Sequence, residues 1–334
     1  MLQATVGRAF GIDNVHLGEV ASPEPRTGEV IVRIRAVSLN YRDLLVATGK
    51  YNPKMPLPRV LLSDGAGEVV ALGSDVSRWK LGDRVAGIFM TDWLAGRFRD
   101  EYSKSALGGA IDGVLAGQVA FNQNSLVGIP AHLSFEEAAT LPCAGVTAWN
   151  ALVWSGGLRA GETVLVQGSG GVSVFALQFA KAAGARVIAT SSRQDKMDRL
   201  KSLGADWVLN YKEDPGWGNT IAKAGGVDHV VEVGGVGSLE QSLSATRGGG
   251  RVSVIGILSG ILGPLNIAPI LHKAITVQGI YVGSREMFEQ MNTAIAQHSL
   301  RPVIDRVFEA AQIQEALRHM EAAGHFGKIV LRLS

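Results

Sequence analysis

A single cysteine, Cys143, is all that the chain offers to disulfide or thiolate chemistry. That excludes an intrachain disulfide and any cysteine-rich zinc lobe, and it suits a reducing compartment. Charge is sparse too: charged residues make up 19% of 334 and leave a formal net charge of +2. Such a balance provides no basic field for nucleic acid. The seven histidines are scattered, without the i, i+4 or short paired spacing of a metal site. Residues 1–15 carry Arg8 and Asp13 around short apolar runs and lack a signal-peptide core, so a cytoplasmic location and no membrane partner are expected. One uncharged stretch, residues 252–271, has the length to cross a bilayer. Gly256, Gly260, Gly263, Pro264 and Pro269 would break a spanning helix there, and the stretch reads as a strand followed by a buried loop.

What is present is organised around residues 163–173, Thr-Val-Leu-Val-Gln-Gly-Ser-Gly-Gly-Val-Ser, followed by a helix-like segment to Lys181. A buried strand ending in a glycine turn that opens a helix gathers backbone N–H groups and the positive helix end at one point, which suits a diphosphate. Gly168 and Gly170 fill the first two positions of G-x-G-x-x-G, and Ser173 stands at the third, where a small side chain is needed. Ser169, Gly171 and Val172 complete the predicted cradle. Alone, the pattern competes with an ordinary glycine turn. Its context decides the matter: strand-like runs at 184–190, 204–210, 227–233 and 251–255 alternate with helix-like segments. That alternation implies parallel strands joined by right-handed crossovers, an α/β doubly wound Rossmann domain. Gly234 and Gly256, with Ile257, end its fourth and fifth strands, where open parallel sheets bind ligands.

NAD sites commonly carry an acid about 20 residues after the glycine turn. Here that place reads Thr190-Ser191-Ser192-Arg193-Gln194-Asp195-Lys196, with no carboxylate at the strand end. Ser191, Ser192, Arg193 and Lys196 offer two hydroxyls and two cations to a 2′-phosphate, which predicts NADPH. The competing reading of Arg193 and Lys196 is surface charge at a helix start.

Residues 1–124 read differently. Residues 28–37 alternate apolar and polar side chains as a half-buried strand, residues 67–73 form a short apolar run, and prolines and glycines punctuate both. The pattern predicts a twisted β-barrel-like domain with few helices.

Four motifs follow in order: Val37-Ser38-Leu39-Asn40-Tyr41-Arg42-Asp43, Gly65-Ala66-Gly67-Glu68-Val69-Val70-Ala71-Leu72-Gly73, Trp79-Lys80-Leu81-Gly82-Asp83-Arg84-Val85, and Ala138-Ala139-Thr140-Leu141-Pro142-Cys143-Ala144-Gly145-Val146-Thr147-Ala148-Trp149. With the later His325-Phe326-Gly327-Lys328-Ile329-Val330-Leu331, they resemble the medium-chain dehydrogenase/reductase superfamily essentially end to end. The resemblance implies a GroES-like barrel split in sequence around the Rossmann domain: residues 1–124, then 125–285, with 286–334 returning to the first domain. It also implies an active site in the cleft between the two.

In zinc members of that family a cysteine, a histidine and usually a second cysteine hold the catalytic metal. The matching positions here are Asn40, Ser63 and Cys143. Zinc needs three soft or imidazole ligands and an open position, so no metal is expected. The resemblance is to the zinc-free quinone oxidoreductases and enone reductases. It implies that Asn40 bonds the substrate carbonyl or the cofactor ribose, that Tyr51 polarises the acceptor, and that Thr147 contacts the nicotinamide. It also places Tyr211, in Asn210-Tyr211-Lys212, near the adenosine phosphate and Lys328 at the cofactor phosphates. Another family tyrosine falls on Leu45. The aromatics of residues 91–101, where zinc members carry the structural lobe, either line a substrate mouth or anchor a loop. Residues 274–282 read as the last Rossmann strand, and the resemblance implies a homodimer through it near Ile275.

The function expected is NADPH-dependent reduction of quinones or α,β-unsaturated carbonyl compounds, with a small-molecule substrate and no nucleic-acid partner. Two rivals stand beside it: a metal-free alcohol dehydrogenase or carbonyl reductase, and a non-catalytic NADPH-binding sensor or RNA-associated crystallin-like protein.

Overall fold

The computed structural model describes residues 1–333, which gather into two compact units. One comprises Met1–Val146 with the chain from Gly283 onward; the other is the continuous stretch Thr147–Val282.

The continuous unit contains strands β1 (Thr163–Gln167), β2 (Arg186–Ser191), β3 (Trp207–Asn210), β4 (Val227–Glu232), β5 (Thr246–Val254) and β6 (Thr276–Gly279). Between them run helices α1 (Gly171–Ala182), α2 (Gln194–Ser202), α3 (Trp217–Lys223), α4 (Val236–Ala245) and α5 (Ala268–His272). Every strand pair is parallel, in the order β3-β2-β1-β4-β5-β6. The chain therefore winds outward from β1, returns to β4 and winds the other way, which puts a topological switch point beside the carboxyl end of β1. Short apolar runs suffice for strands covered on both faces: Leu165, Ile188, Val230 and Val252 share one core with Trp217, Ile221 and Leu243.

The discontinuous unit is built on Glu29–Leu39, which pairs antiparallel with Asp64–Leu72, Gln118–Asn122 and Lys328–Arg332. Its sheet extends through Lys328–Arg332 to Ile304–Glu309 on one side, and to Arg84–Gly87 and Leu126–Gly128 on the other. A smaller antiparallel sheet joins Leu2–Val6 to Val15–Glu19 and Arg59–Val60. The half-buried alternation expected over residues 28–37 gives way to burial along most of Glu29–Leu39, with Arg33 the exposed residue. Three partner strands occupy its edges, and the short helix Phe135–Ala138 packs against it.

Residues 125–146, which the sequence reading groups with the Rossmann domain, lie in the discontinuous unit, and the return begins at Gly283. Leu126–Gly128 is fixed there by its ladder with Arg84–Gly87. Among the described residues no helix is long and apolar enough to cross a membrane. The loop expected within residues 252–271 is present but not buried: Ile261, Leu262 and Leu271 are 73%, 92% and 79% exposed. Its glycines and prolines hold irregular backbone between β5 and the short α5.

Candidate functional site

In the continuous unit the glycine turn forms as its residues require. Gly168 has φ 69°, a left-handed conformation that glycine adopts without strain, and its N–H donates to Thr190 O at 2.8 Å, tying the turn to the end of β2. Gly170 caps α1, so the first-turn N–H groups of Gly171, Val172 and Ser173 stand at a helix start beside the positive end of the dipole. A Cβ placed on Gly168 or Gly170 meets no protein atom within 4 Å. At Gly170, whose φ of −74° suits any residue, the missing side chain serves neither packing nor backbone freedom. It leaves bare backbone for a ligand to approach, which fits a dinucleotide diphosphate. Ser173, at the third position of the pattern, is buried and donates its hydroxyl to Gln167 O at 2.6 Å, so it fastens helix to strand where a glycine or alanine would only permit contact.

Sequence reasoning missed the group that holds the next turn. The Glu232 carboxylate, fully buried at the end of β4, accepts from Gln167 Nε2 (2.8 Å), Gly234 N (2.8 Å), Gly235 N (3.0 Å), Ser238 Oγ (2.6 Å) and Ser242 Oγ. An acid ending an otherwise buried strand just before two glycines was the available signal. Gly234 and Gly256 are glycine for packing: a Cβ would lie 2.0 Å from Ser238 Oγ at the first and 2.2 Å from Val233 O at the second. Ile257 follows with 47% exposure.

Ser191 is buried at the end of β2, opposite Asn210 of β3, and its carbonyl accepts the Tyr211 N–H at 3.1 Å. Ser191, Ser192 and the half-exposed Tyr211 thus cluster at the carboxyl ends of two adjacent strands. Arg193 caps α2, and its guanidinium is clasped bidentately by Asp195 at 2.8 and 3.0 Å. This pair is exposed and its two charges hold each other ionised: Asp195 lies below its ordinary range and Arg193 above. Lys196 follows in the first turn of α2, and Thr147 is buried on the short helix Val146–Trp149, between two π-helical turns.

In the discontinuous unit, residues far apart in sequence meet in one buried chain of hydrogen bonds. Lys328 Nζ donates to Leu39 O at 2.5 Å and to Asn40 Oδ1 at 2.6 Å. Asn40 Nδ2 lies 3.5 Å from Ser63 Oγ, Ser63 Oγ donates to Asp64 Oδ1 at 2.6 Å, and Asp64 Oδ2 accepts the Cys143 N–H at 3.0 Å. The three positions that match zinc ligands in the family are therefore neighbours here. Asp43 accepts the Asn40 N–H at 2.7 Å as it starts the helix Tyr41–Ala47, and Arg42 lies 3.6 Å from it. Burial raises Asp43 to about 6 despite the Arg42 charge, and raises Asp64 against the pull of Lys328. Burial and the Asp64 charge together push the Cys143 thiol upward, opposite to what a thiolate ligand or nucleophile requires. Tyr51 is 41% exposed, with the Arg42 guanidinium 5.7 Å from its ring centroid.

This donor set does not suit a catalytic zinc. The Asn40 oxygen already faces an ammonium, the Ser63 proton is directed at Asp64, and Cys143 keeps its proton. Among the described residues no group of three or more His, Cys, Asp or Glu side chains is placed to hold a metal ion. The aromatics of the 91–101 loop anchor it: Trp93 is buried, donates its indole N–H to Gly96 O at 3.0 Å and stacks on Tyr102, while Arg285 N donates to Trp93 O at 3.0 Å.

Residues 26–131 match the alcohol dehydrogenase GroES-like domain, and residues 171–297 match the zinc-binding dehydrogenase family. A zinc-type alcohol dehydrogenase-like protein of Schizosaccharomyces pombe is 42% identical, over 97% of this chain and 96% of that protein. A quinone oxidoreductase of Sus scrofa is 31% identical over 94% and 92%. The solved structure of an NAD-dependent alcohol dehydrogenase is 34% identical over 100% of both chains, with a TM-score of 0.91.

Proposed function

The chain belongs to the medium-chain dehydrogenase/reductase superfamily, and from that premise we propose that it is a zinc-independent, NADPH-dependent reductase of quinones or α,β-unsaturated carbonyl compounds. The oxidoreductase class and a nicotinamide cofactor come with the family. The finer reading is carried by one observation, the buried hydrogen-bond chain Lys328, Asn40, Ser63, Asp64, Cys143, which runs through the three positions that match the family's metal ligands, Asn40, Ser63 and Cys143.

Oxidising an unactivated alcohol calls for a Lewis acid to hold the alkoxide. An acceptor that is already electrophilic asks for less: orientation, and hydrogen-bond donors where negative charge develops. A dihydronicotinamide bound by this chain would supply hydride, two electrons with one proton; the displaced electron pair would move to the acceptor's oxygen, and solvent would return the second proton. The chain's own part is to hold the diphosphate on the 168–173 turn, the adenosine end at Ser191, Ser192 and Tyr211, and the acceptor oxygen near the Asn40 amide. Metal-stripped protein is expected to consume NADPH anaerobically with a quinone or an enone, and added zinc should leave the rate unchanged. Turnover of a saturated aldehyde alone would favour the carbonyl reductase reading, to which the alcohol dehydrogenase relatives lend weight. Activity that appears only with zinc would overturn the proposal, and tight NADPH binding with RNA affinity but no turnover would favour the sensor.

The preference for NADPH rests on Ser191, Ser192, Arg193 and Lys196 at the carboxyl end of β2, where no carboxylate stands on the strand itself. A 2′-phosphate competes with Asp195 for the Arg193 guanidinium, and exposed pairs of this kind exchange readily. Replacing Arg193 and Lys196 together by alanine should cut the NADPH-over-NADH ratio of kcat/KM by roughly 10 to 100-fold. An unchanged ratio would remove the assignment.

A homodimer is proposed along β6. In the loop and short helix that lead into β6, Ile261, Leu262, Ile267 and Leu271 are 66–92% exposed, and a paired edge with a covered apolar stretch is the arrangement a dimer would supply. Sedimentation equilibrium should give twice the chain mass, and a concentration-independent monomer would dismiss the interface.

A further inference from the structure

Lysine has donors and no acceptor, whereas an asparagine amide has one face of each kind. With Lys328 Nζ 2.6 Å from the Asn40 side chain, that amide has only one favourable orientation, Oδ1 toward the ammonium. The flipped form would set N–H against N–H beside a positive charge and lose a charge-assisted bond. The second Lys328 bond, to Leu39 O at 2.5 Å, comes from the residue before Asn40 and fixes the ammonium relative to the same backbone. On the far side, the Ser63 proton is spent on Asp64 at 2.6 Å, so Ser63 Oγ presents a lone pair to Asn40 Nδ2 at 3.5 Å, the long limit of a hydrogen bond. Both neighbours therefore impose the same orientation on Asn40: Oδ1 to the ammonium, and the amide N–H groups on the side of Ser63 and the Asp64 carboxylate.

From this geometry we propose that Lys328 is a positioning residue that acts through Asn40: it locks the amide as a donor to the acceptor's carbonyl oxygen and polarises it. A cation on the amide oxygen draws electron density from nitrogen, so the N–H groups become better donors to an oxygen that gains negative charge. In this way the fixed positive charge of Lys328 reaches the reacting oxygen through one amide group. The inference rests on the reductase reading above, and it assigns Lys328 a role other than contact with cofactor phosphates.

The test is a double-mutant cycle on the full-length protein with whichever quinone, enone or aldehyde the wild type reduces. Lys328→Met should lower kcat by about 30 to 100-fold, with KM for the acceptor and the directly measured NADPH Kd each within about threefold. Lys328→Arg should recover part of the loss, because it restores a cation but not the single-point geometry. In the Asn40→Ala background the Lys328→Met change should cost less than about threefold, since its only route to the substrate is gone. A structural role would instead lower Tm and act equally in both backgrounds. If Lys328→Met fails to fold, Lys328→Gln, which keeps a neutral donor, carries the cycle. Additive losses in an active enzyme would overturn the role of Lys328 and leave the reductase reading standing, as would an NADPH Kd more than tenfold weaker. A wild type inactive with every acceptor would overturn both.

Discussion

Replacing Glu232 by alanine is expected to lower the unfolding free energy of the dinucleotide-binding unit by about 4 kcal/mol. Five donors converge on that one carboxylate, and the truncation leaves most of them buried without an acceptor. The size of the effect comes from what is abandoned rather than from any one bond. Two of the donors are the backbone N–H groups of Gly234 and Gly235, so the turn after β4 should loosen and cofactor affinity should fall with stability. Glu232→Gln keeps one acceptor oxygen and should lose less than half as much. Urea denaturation followed by tryptophan fluorescence measures both variants, and a loss under about 1 kcal/mol for Glu232→Ala would mean that the donors find other partners.

Gly170→Val is expected to do the opposite, to spare the fold and remove the cofactor. No protein atom lies within 4 Å of a Cβ at this position, and its backbone suits any residue. Stability should therefore change by no more than about 1 kcal/mol, the cost of a poorer helix cap. With the diphosphate on this turn, as proposed, a branched side chain should hold it off the α1 N–H groups and weaken binding of the nicotinamide cofactor on the order of 100-fold, or roughly 2.8 kcal/mol. Fluorescence titration with NADPH beside a thermal melt separates the two quantities. Affinity within fivefold of wild type would place the diphosphate elsewhere.

The doubly wound sheet was legible because its information is local: each strand is a short apolar run, each helix follows at once, and the glycine turn falls between them. The discontinuous unit was less so. Leu126–Gly128 looks like the approach to the Rossmann domain until its ladder with Arg84–Gly87 is seen, and nothing within either segment announces the pairing. Burial along Glu29–Leu39 likewise depends on strands that arrive from three distant places. In the site, Asn40, Ser63 and Cys143 could be marked by motif position, but their bonding could not. The partner of Asn40 is 288 residues away. Arg193 could be read as a cation beside a phosphate site, yet its clasp by Asp195 is a matter of side-chain geometry at the start of α2. Glu232 matches no motif, and its five donors come from β1, the turn after β4 and α4, so their convergence belongs to the folded arrangement.

The ladder between Lys328–Arg332 and Ala36–Leu39 also sets an order of assembly. The strand that ends at Leu39 leaves the ribosome 289 residues ahead of Lys328. At about 5–20 residues per second, that interval is roughly 15–60 s. The dinucleotide-binding unit lies on one continuous stretch and can close within it, so a nascent chain passes through a stage at which it holds a formed cradle while Asn40 still lacks its lysine. The Lys328–Asn40 bond is thus deferred until the chain has been made through Lys328, and the exposed flank of the central strand must be kept from foreign partners until then.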